Sequence, residues 1–497
     1  MLYRDFRDFL RLLDSRGLLV TLKKQLENGY EVSALAWELA EKEGPAVQFQ
    51  VKGHDIPIIM GIHGTLERNC LALGLQPKLS NREKFYQIRN LMADILESRN
   101  KWIKPVTVDK APCQETVMVG DEVDLFKLPV LKWNTMDGGP YILLTNVITR
   151  NMSKGSLERN SGMYRVMVRN KNTVNVMCCS TQDIGIHAAI ARQLGLKKMP
   201  LAIALGADPV LNILSATKMA SFADDEFDCV GGIRGEPVEM VHCRTIDLDV
   251  PSNSEIIIEG ELDLDPGKAS LEGTFAEWMG YYEEPMFLPE LHVTAITHRK
   301  DLRYVTCIVG HAKNDGEVIR FPVIQANNYN NLKRIVAGFR DFVAPWNTRG
   351  YKVVVQVEKR YPGWGMQAAL AALNTGQGFA AANIAIAVSE DIDPWDQDRV
   401  DWSIATRVDP AKDVIILPPV GVYPLNPAAS KRVNNDPVTG YTEYSYIGKM
   451  AIDATKKLAS ENRRPSSIPV LPDEKSLESV RKNWADFGLP DLPIYSK

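Results

Sequence analysis

Asn160-Ser-Gly-Met-Tyr-Arg-Val-Met-Val-Arg169 leads through Asn170-Lys-Asn172 into Thr173-Val-Asn-Val-Met-Cys178. The stretch holds two short β-rich runs, Tyr164–Arg169 and Thr173–Cys178, parted by turn residues. The same texture recurs from about Pro105 onward, at Thr116–Val119, Tyr141–Thr149, Leu201–Leu205, Val238–Cys243, Glu255–Gly260, Leu291–His298 and Tyr304–Val309. One clear helix, Gly185–Leu194, interrupts it. Many short strands with few helices predict a barrel or sandwich.

The flanks read differently. Upstream, Leu2, Phe6, Phe9, Leu10 and Leu13 share one helical face, and Gly17 stops the run. A strand (Leu18–Leu22), a helix (Val32–Glu43), strands Ala46–Val51 and Ile58–Gly61 and a helix Arg82–Ser98 complete a small α/β unit. Downstream of about Phe321, a helix Tyr329–Phe342 precedes strand Lys352–Val357, helix Gln367–Asn374, strand Ile384–Val388, helix Val400–Thr406 and strand Val414–Leu417. Helices alternating with apolar strands predict an α/β layer. A Pro-rich tail then offers one amphipathic helix, Glu474–Phe487. The expected class is α+β, over four segments: 1–110, 111–320, 321–470 and 471–497.

The 497 residues suggest about three domains at about 150 residues each. Lys plus Arg (58) against Asp plus Glu (62) leaves a net charge of −4, which argues against phosphate-driven nucleic-acid binding and polybasic membrane binding. The charged amino terminus is not a secretory signal, and no window reaches the apolar length of a membrane span. Seven cysteines, an odd number without a CxxC, read as reduced thiols in a cytoplasmic protein.

Familiar motifs are absent: no Walker loop, HExxH or GxSxG occurs, and Gly363-Trp-Gly-Met-Gln-Ala368 reads as a turn that starts a helix. Two segments carry chemistry. Asn160-Ser-Gly-Met-Tyr-Arg165 sets an amide and a guanidinium five residues apart. Leu271-Glu-Gly-Thr-Phe-Ala-Glu277-Trp-Met-Gly-Tyr-Tyr282 sets two carboxylates five apart. In a straight strand those carboxylates face opposite sides, but Gly273 can bend the chain and turn both into one cavity. An arginine beside paired carboxylates suits acid/base work, holding one ionised while burial raises the other. The bland alternative is an exposed acidic loop, since Glu283 and Glu284 follow.

These two segments resemble the UbiD family of prenylated-flavin-dependent decarboxylases. Further similar stretches run along nearly the whole chain: Ala111-Pro-Cys-Gln114, Asp124-Leu-Phe-Lys-Leu-Pro129, Ala204-Leu-Gly-Ala-Asp-Pro209, Thr297-His-Arg-Lys300, Glu390-Asp-Ile-Asp393, Thr406-Arg-Val-Asp-Pro410 and Gly448-Lys-Met-Ala-Ile-Asp-Ala-Thr455. The resemblance implies a split-barrel flavin domain (111–320) joined by a linker helix to a C-terminal oligomerisation domain (321–470). It implies prenylated FMN held through its phosphate with Mn²⁺ (or Mg²⁺) and K⁺, a flavin prenyltransferase as cofactor supplier, and a homodimer or homohexamer. The reaction implied is reversible, non-oxidative decarboxylation of an aromatic or other unsaturated acid through a covalent adduct.

On the same basis, Arg165, Glu272 and Glu277 are the candidate catalytic set, with Glu277 as proton donor. Asn160 and Glu226 are candidate metal ligands, whose amide and carboxylate oxygens suit a hard cation. The family's third ligand, a histidine, falls near Gln182 or Asp183, with His187 as fallback. Gly162, Met163, Tyr164, Arg165, Gln182, Ser215, Thr217, Lys218 and Gln377 complete the candidate cofactor contacts, Gln377 standing where some members carry lysine. Thr274 and Ala276 replace the usual Pro and Gly between the glutamates. Trp278, Met279 and Tyr281 are candidate pocket walls. Two other functions stay open: an ordinary FMN oxidoreductase, and a catalytically silent flavin- or metal-binding subunit of a carboxylase complex.

Overall fold

In a computed structural model, residues 2–156, 158–179, 182–216, 224–311, 313–374, 382–422, 425–436, 440–461, 470 and 472–488 are described. Apolar strands at the centre of the chain form one nine-stranded sheet. Its order is Tyr141–Ile142, Val166–Asn170, Thr173–Val176, Glu290–His298, Ile256–Asp263, Lys198–Leu205, Asn146–Arg150 and Arg159–Gly162, with Thr116–Val119 also pairing Glu290–His298.

That order forces the sheet to curl. Tyr141–Ile142 and Asn146–Arg150 are separated by only Leu143–Thr145 in sequence, yet they lie near opposite ends of the sheet. The same holds for Arg159–Gly162 and Val166–Asn170, separated only by Met163–Arg165. Two three-residue crossings can span the ends only if the ends meet, so the sheet is a barrel with a seam. Thr145 pins the crossings together: its hydroxyl donates to the Tyr164 carbonyl (2.5 Å) and accepts from the Tyr164 N–H (3.2 Å).

The seam corrects one expectation. Tyr141–Thr149 is not one strand; it breaks at Leu143–Thr145, where Leu144 takes φ +57°, a conformation rare for a bulky residue. Two further helices, Pro209–Ser215 and Glu226–Arg234, join the expected one at Asp183–Gln193. Glu226 therefore opens a helix, capped by Asp225, whose carboxylate accepts from the Phe227 N–H.

The N-terminal helix Phe6–Ser15 buries Phe6, Phe9, Leu10 and Leu13, the face read from the sequence. Leu19–Thr21, Ala46–Val51 and His54–Met60 form a sheet whose fourth strand, Tyr304–Thr306, comes from beyond the barrel. The linker helix is Asp315–Ile335, not Tyr329–Phe342; Phe339–Val343 is a strand. Gly316 and Pro322 disguise it in sequence, but the Asn314 cap and burial of Val318, Ile319, Phe321 and Val323 outweigh them. It runs through position 320, across the expected domain boundary.

The C-terminal sheet runs Phe339–Val343, Lys352–Val357, Ile384–Ser389, Gly440–Asp453 and Val414–Val422, with Ser430–Asp436 pairing Gly440–Asp453. Helices Trp364–Asn374 and Gln397–Arg407 accompany it. The N-terminal helix Asn81–Glu97 ties this sheet down through Asp341, which accepts from the Tyr86 hydroxyl (2.5 Å) and Arg89 (2.7 Å). All seven cysteines are free thiols. Among the described residues no helix is long and apolar enough to cross a membrane.

Candidate active site

A cavity opens against the barrel seam. Leu143 and Leu144 from one crossing line it, with Met163, Tyr164 and Arg165 from the other. The seam thus delivers Arg165 to the cavity wall.

Arg165 is buried and makes a two-point contact with Glu272, Nε to Oε1 at 3.0 Å and Nη2 to Oε2 at 2.8 Å. Its remaining arm, Nη1, donates to Glu277 Oε1. Gly273, at φ +100°, bends the chain between the glutamates, as the sequence required. Both carboxylates are buried, so the exposed-acidic-loop alternative fails for them. Glu272 also accepts from the Tyr141 hydroxyl (2.8 Å), and the Arg165 guanidinium lies 4.8 Å from the Phe275 ring centroid. Desolvation works against the Arg165 cation, but the charges of Glu272 and then Glu277 prevail and raise its pKa, keeping it charged. The Tyr141 phenol is pushed up by burial and by Glu272, so it stays a donor.

A second group gathers behind Tyr164. Burial raises the Tyr164 phenol, the charge of Asp183 adds to this, the Asn160 amide opposes it, and Glu226 raises it further. Glu226 accepts from the Ser161 N–H (2.9 Å); loss of hydration, with help from Asp225 and Asp183, pushes its carboxyl up to about 8. Asn160, Asp183 and Glu226 thus all act on the Tyr164 phenol. Among the described residues the buried Asn160 Nδ2 has no hydrogen-bond partner. Among the described residues no cluster of three His, Cys, Asp or Glu side chains could hold a metal, so a cation here requires the Asn160 amide oxygen. Two carboxylates and an amide form a hard oxygen set that fits manganese or magnesium.

The neighbouring candidates separate. Gln182 lines the cavity and accepts from the Cys179 N–H (3.4 Å). Gly162 is needed where it stands, because a Cβ there would lie 2.4 Å from the Tyr164 ring. His187 shares a hydrogen bond with Thr149 (2.9 Å), and burial drops its pKa to about 4, which leaves it a neutral interior histidine. The Ser215 hydroxyl accepts from Asn146 (3.0 Å) and bonds Ser161 (2.8 Å), while Ala216 beside it lines the cavity. Thr217, Lys218 and Gln377 lie outside the described residues.

The far wall comes from the linker helix and the C-terminal layer. Glu317 and Arg320 face the cavity as a buried pair, Nη2 to Oε2 at 3.0 Å. Burial lifts the Glu317 carboxyl to about 7 against the pull of Arg320 and Arg349, and Glu277 adds to the rise. Trp278 and Leu425 also line the cavity. Met279 is buried with them, whereas Tyr281 is 62% exposed and is no pocket wall.

Residues 104–312 match the 3-octaprenyl-4-hydroxybenzoate carboxy-lyase Rift-related domain, 320–454 the C-terminal domain and 10–87 the N-terminal domain of the same enzyme family. An uncharacterized protein of Synechocystis is 30% identical over 511 residues, spanning 99% of this chain and 97% of that one. The chain belongs to the UbiD family. Vanillic acid decarboxylase of Sedimentibacter hydroxybenzoicus, in its closed form, shares the fold at a TM-score of 0.83 and 28% identity, covering 98% of this chain and 99% of that. The UbiD-class enzyme HmfF of Pelotomaculum thermopropionicum, in complex with FMN, gives 0.76 and 25%, covering 94% and 98%. Like its UbiD relatives, the chain is a carboxy-lyase.

Within this UbiD chain, the Rift-related part carries the barrel and the Arg165 set, and the C-terminal part begins inside the helix that bears Arg320. Tyr141, Glu317 and Arg320 escaped the sequence reading. A signal existed for the last two: Asn314-Asp-Gly-Glu317 has the spacing of a helix cap, and Asn314 does accept from the Glu317 N–H (3.1 Å). Nothing in sequence points Tyr141 at Glu272.

Proposed function

We propose that this UbiD-family enzyme is a reversible, non-oxidative decarboxylase of an aromatic or other unsaturated carboxylic acid, dependent on prenylated FMN. The observation that carries the proposal is the buried Arg165 bridging Glu272 and Glu277 at a cavity wall. The likeness to a vanillic acid decarboxylase and to an FMN-bound UbiD-class enzyme supports it. Asn160, Asp183 and Glu226 would hold a divalent cation that ties down the cofactor phosphate; Met163, Tyr164, Gln182 and Ala216 would border the flavin. When bound, prenylated FMN supplies an electrophilic carbon that accepts the electron pair released as carbon dioxide leaves.

The protein's part is charge and proton control. Arg165 holds its two glutamates unequally. Glu272 is held by two Arg165 nitrogens and Tyr141, whereas Glu277 has one Arg165 nitrogen and the Trp278 N–H (3.2 Å). Glu277 is therefore the proton carrier, and Glu272 the anion that keeps Arg165 in place. Once carbon dioxide departs, Glu277 protonates the carbon that bore it, returns to Arg165 as a carboxylate and takes its next proton from solvent. The balance is RCOO⁻ plus H⁺ giving RH plus CO₂.

The test is the protein produced with and without a flavin prenyltransferase and challenged with a panel of aryl and alkenyl acids. Carbon dioxide release and solvent-deuterium incorporation only in the first preparation support the assignment. NAD(P)H oxidation with plain FMN, and no exchange in either preparation, would refute it.

A further inference from the structure

The turn that carries Glu277 is gripped from outside the barrel. Glu277 is followed by Trp278, Met279 and Gly280, closed by Gly280 N–H to Glu277 O and Glu277 N–H to Tyr281 O, both 2.9 Å. Arg349, from the C-terminal layer, donates through Nη1 to the Trp278 carbonyl and through Nη2 to the Gly310 carbonyl (3.5 Å). Tyr351, two residues on, stacks on the Trp278 indole with centroids 5.6 Å apart and planes 23° apart, and its hydroxyl contacts Met279 Sδ (3.7 Å). The Arg320 guanidinium lies over the same indole at 4.2 Å. Gly280 turns the chain here at φ +88°, a conformation that glycine adopts readily. Arg349 itself sits at φ +52°, a conformation a non-glycine residue keeps where its surroundings hold it. None of these contacts is needed to close the barrel; all but the one to Gly310 converge on the turn that begins at the carboxylate.

We propose that Arg349 and Tyr351 are positioning residues for Glu277, fixing the turn so that its carboxyl meets both Arg165 and the reacting carbon. The proposal rests on the reading of Glu277 as proton carrier. It makes Arg349 and Tyr351, which do not line the cavity, part of the reaction geometry. A misplacement of about 1 Å costs about 100-fold in rate, so a loosened turn lowers kcat more than it weakens substrate binding, because of the cavity-lining residues only Glu277 and Trp278 belong to the turn.

The experiment compares Arg349→Met, Arg349→Lys and Tyr351→Leu in the full chain loaded with prenylated flavin. Glu277→Gln is run alongside. Hydrogen–deuterium exchange of the 275–281 backbone is measured together with kcat and KM for decarboxylation. Expected are faster exchange confined to 275–281, a fall in kcat of about 10- to 100-fold with KM within about twofold, and partial recovery of both in Arg349→Lys, which keeps one donor. Unchanged protection of 275–281, or a loosened turn at full kcat, overturns the proposal. Full activity in Glu277→Gln removes the proton-carrier reading itself, and the proposal with it.

Discussion

Arg165→Met offers the sharpest test of the buried charge arrangement. Methionine fills the arginine's path but has no donors, so two buried carboxylates lose their cation at once. Breaking a buried ion pair by removing one partner costs about 3–5 kcal/mol. At about 2–4 °C per kcal/mol for a domain of 150–250 residues, the cofactor-free protein should melt about 10 °C lower near pH 8. Two adjacent carboxylates relieve their repulsion by binding a proton, as one of such a pair does readily. The deficit should therefore shrink near pH 5. Arg165→Lys, which keeps the charge but cannot span both glutamates, should fall between. Thermal melting followed by circular dichroism at both pH values reads all three. A Met variant as stable as the parent at pH 8, or a deficit equal at both pH values, refutes the reasoning.

Other consequences are simpler to state. Glu277→Gln should lower solvent-deuterium incorporation into product by about 10²–10⁴-fold, with flavin content by absorbance unchanged. Asn160→Ala and Glu226→Gln should each reduce manganese retained after dialysis, measured by elemental analysis, while the melting profile of the metal-free protein stays cooperative. Burial raises the Glu317 carboxyl from its usual 4.5 to about 7. The folded state thus binds the extra proton, and Glu317 withdraws about 3 kcal/mol of stability as pH climbs from about 4.5 to 7. Glu317→Gln should remove that slope, seen as a wild-type-minus-variant difference in denaturant midpoint that changes with pH across this window and is flat above it.

The barrel was legible because its strands are short, apolar and punctuated by turns, and period-2 burial then fixes their faces. Its closure was not: Leu143–Thr145 looks like the middle of one strand, and only the pairing partners of Tyr141–Ile142 and Asn146–Arg150 reveal the break. Gly273 was readable as the bend joining two carboxylates because alternation alone would have separated them. The linker helix hid behind Gly316 and Pro322, residues whose local preference is outvoted by a buried apolar face. The hairpin Ser430–Asp436 with Gly440–Asp453 was missed because Asn434, Asn435 and Asp436 read as loop. The far wall of the cavity could not be seen at all, since Glu317, Arg320 and Leu425 meet Glu277 only through tertiary packing.

Asn160 and Arg165 belong to the same strand-and-crossing, so the stations they mark are joined by five peptide units, a span of at most about 18 Å. That backbone is a ruler with fixed graduations: any ligand touching both stations must have a matching length. Adding or removing one residue between them would transpose every side chain to the wrong face of the sheet, so ligands of other sizes are open to this architecture only through changes elsewhere.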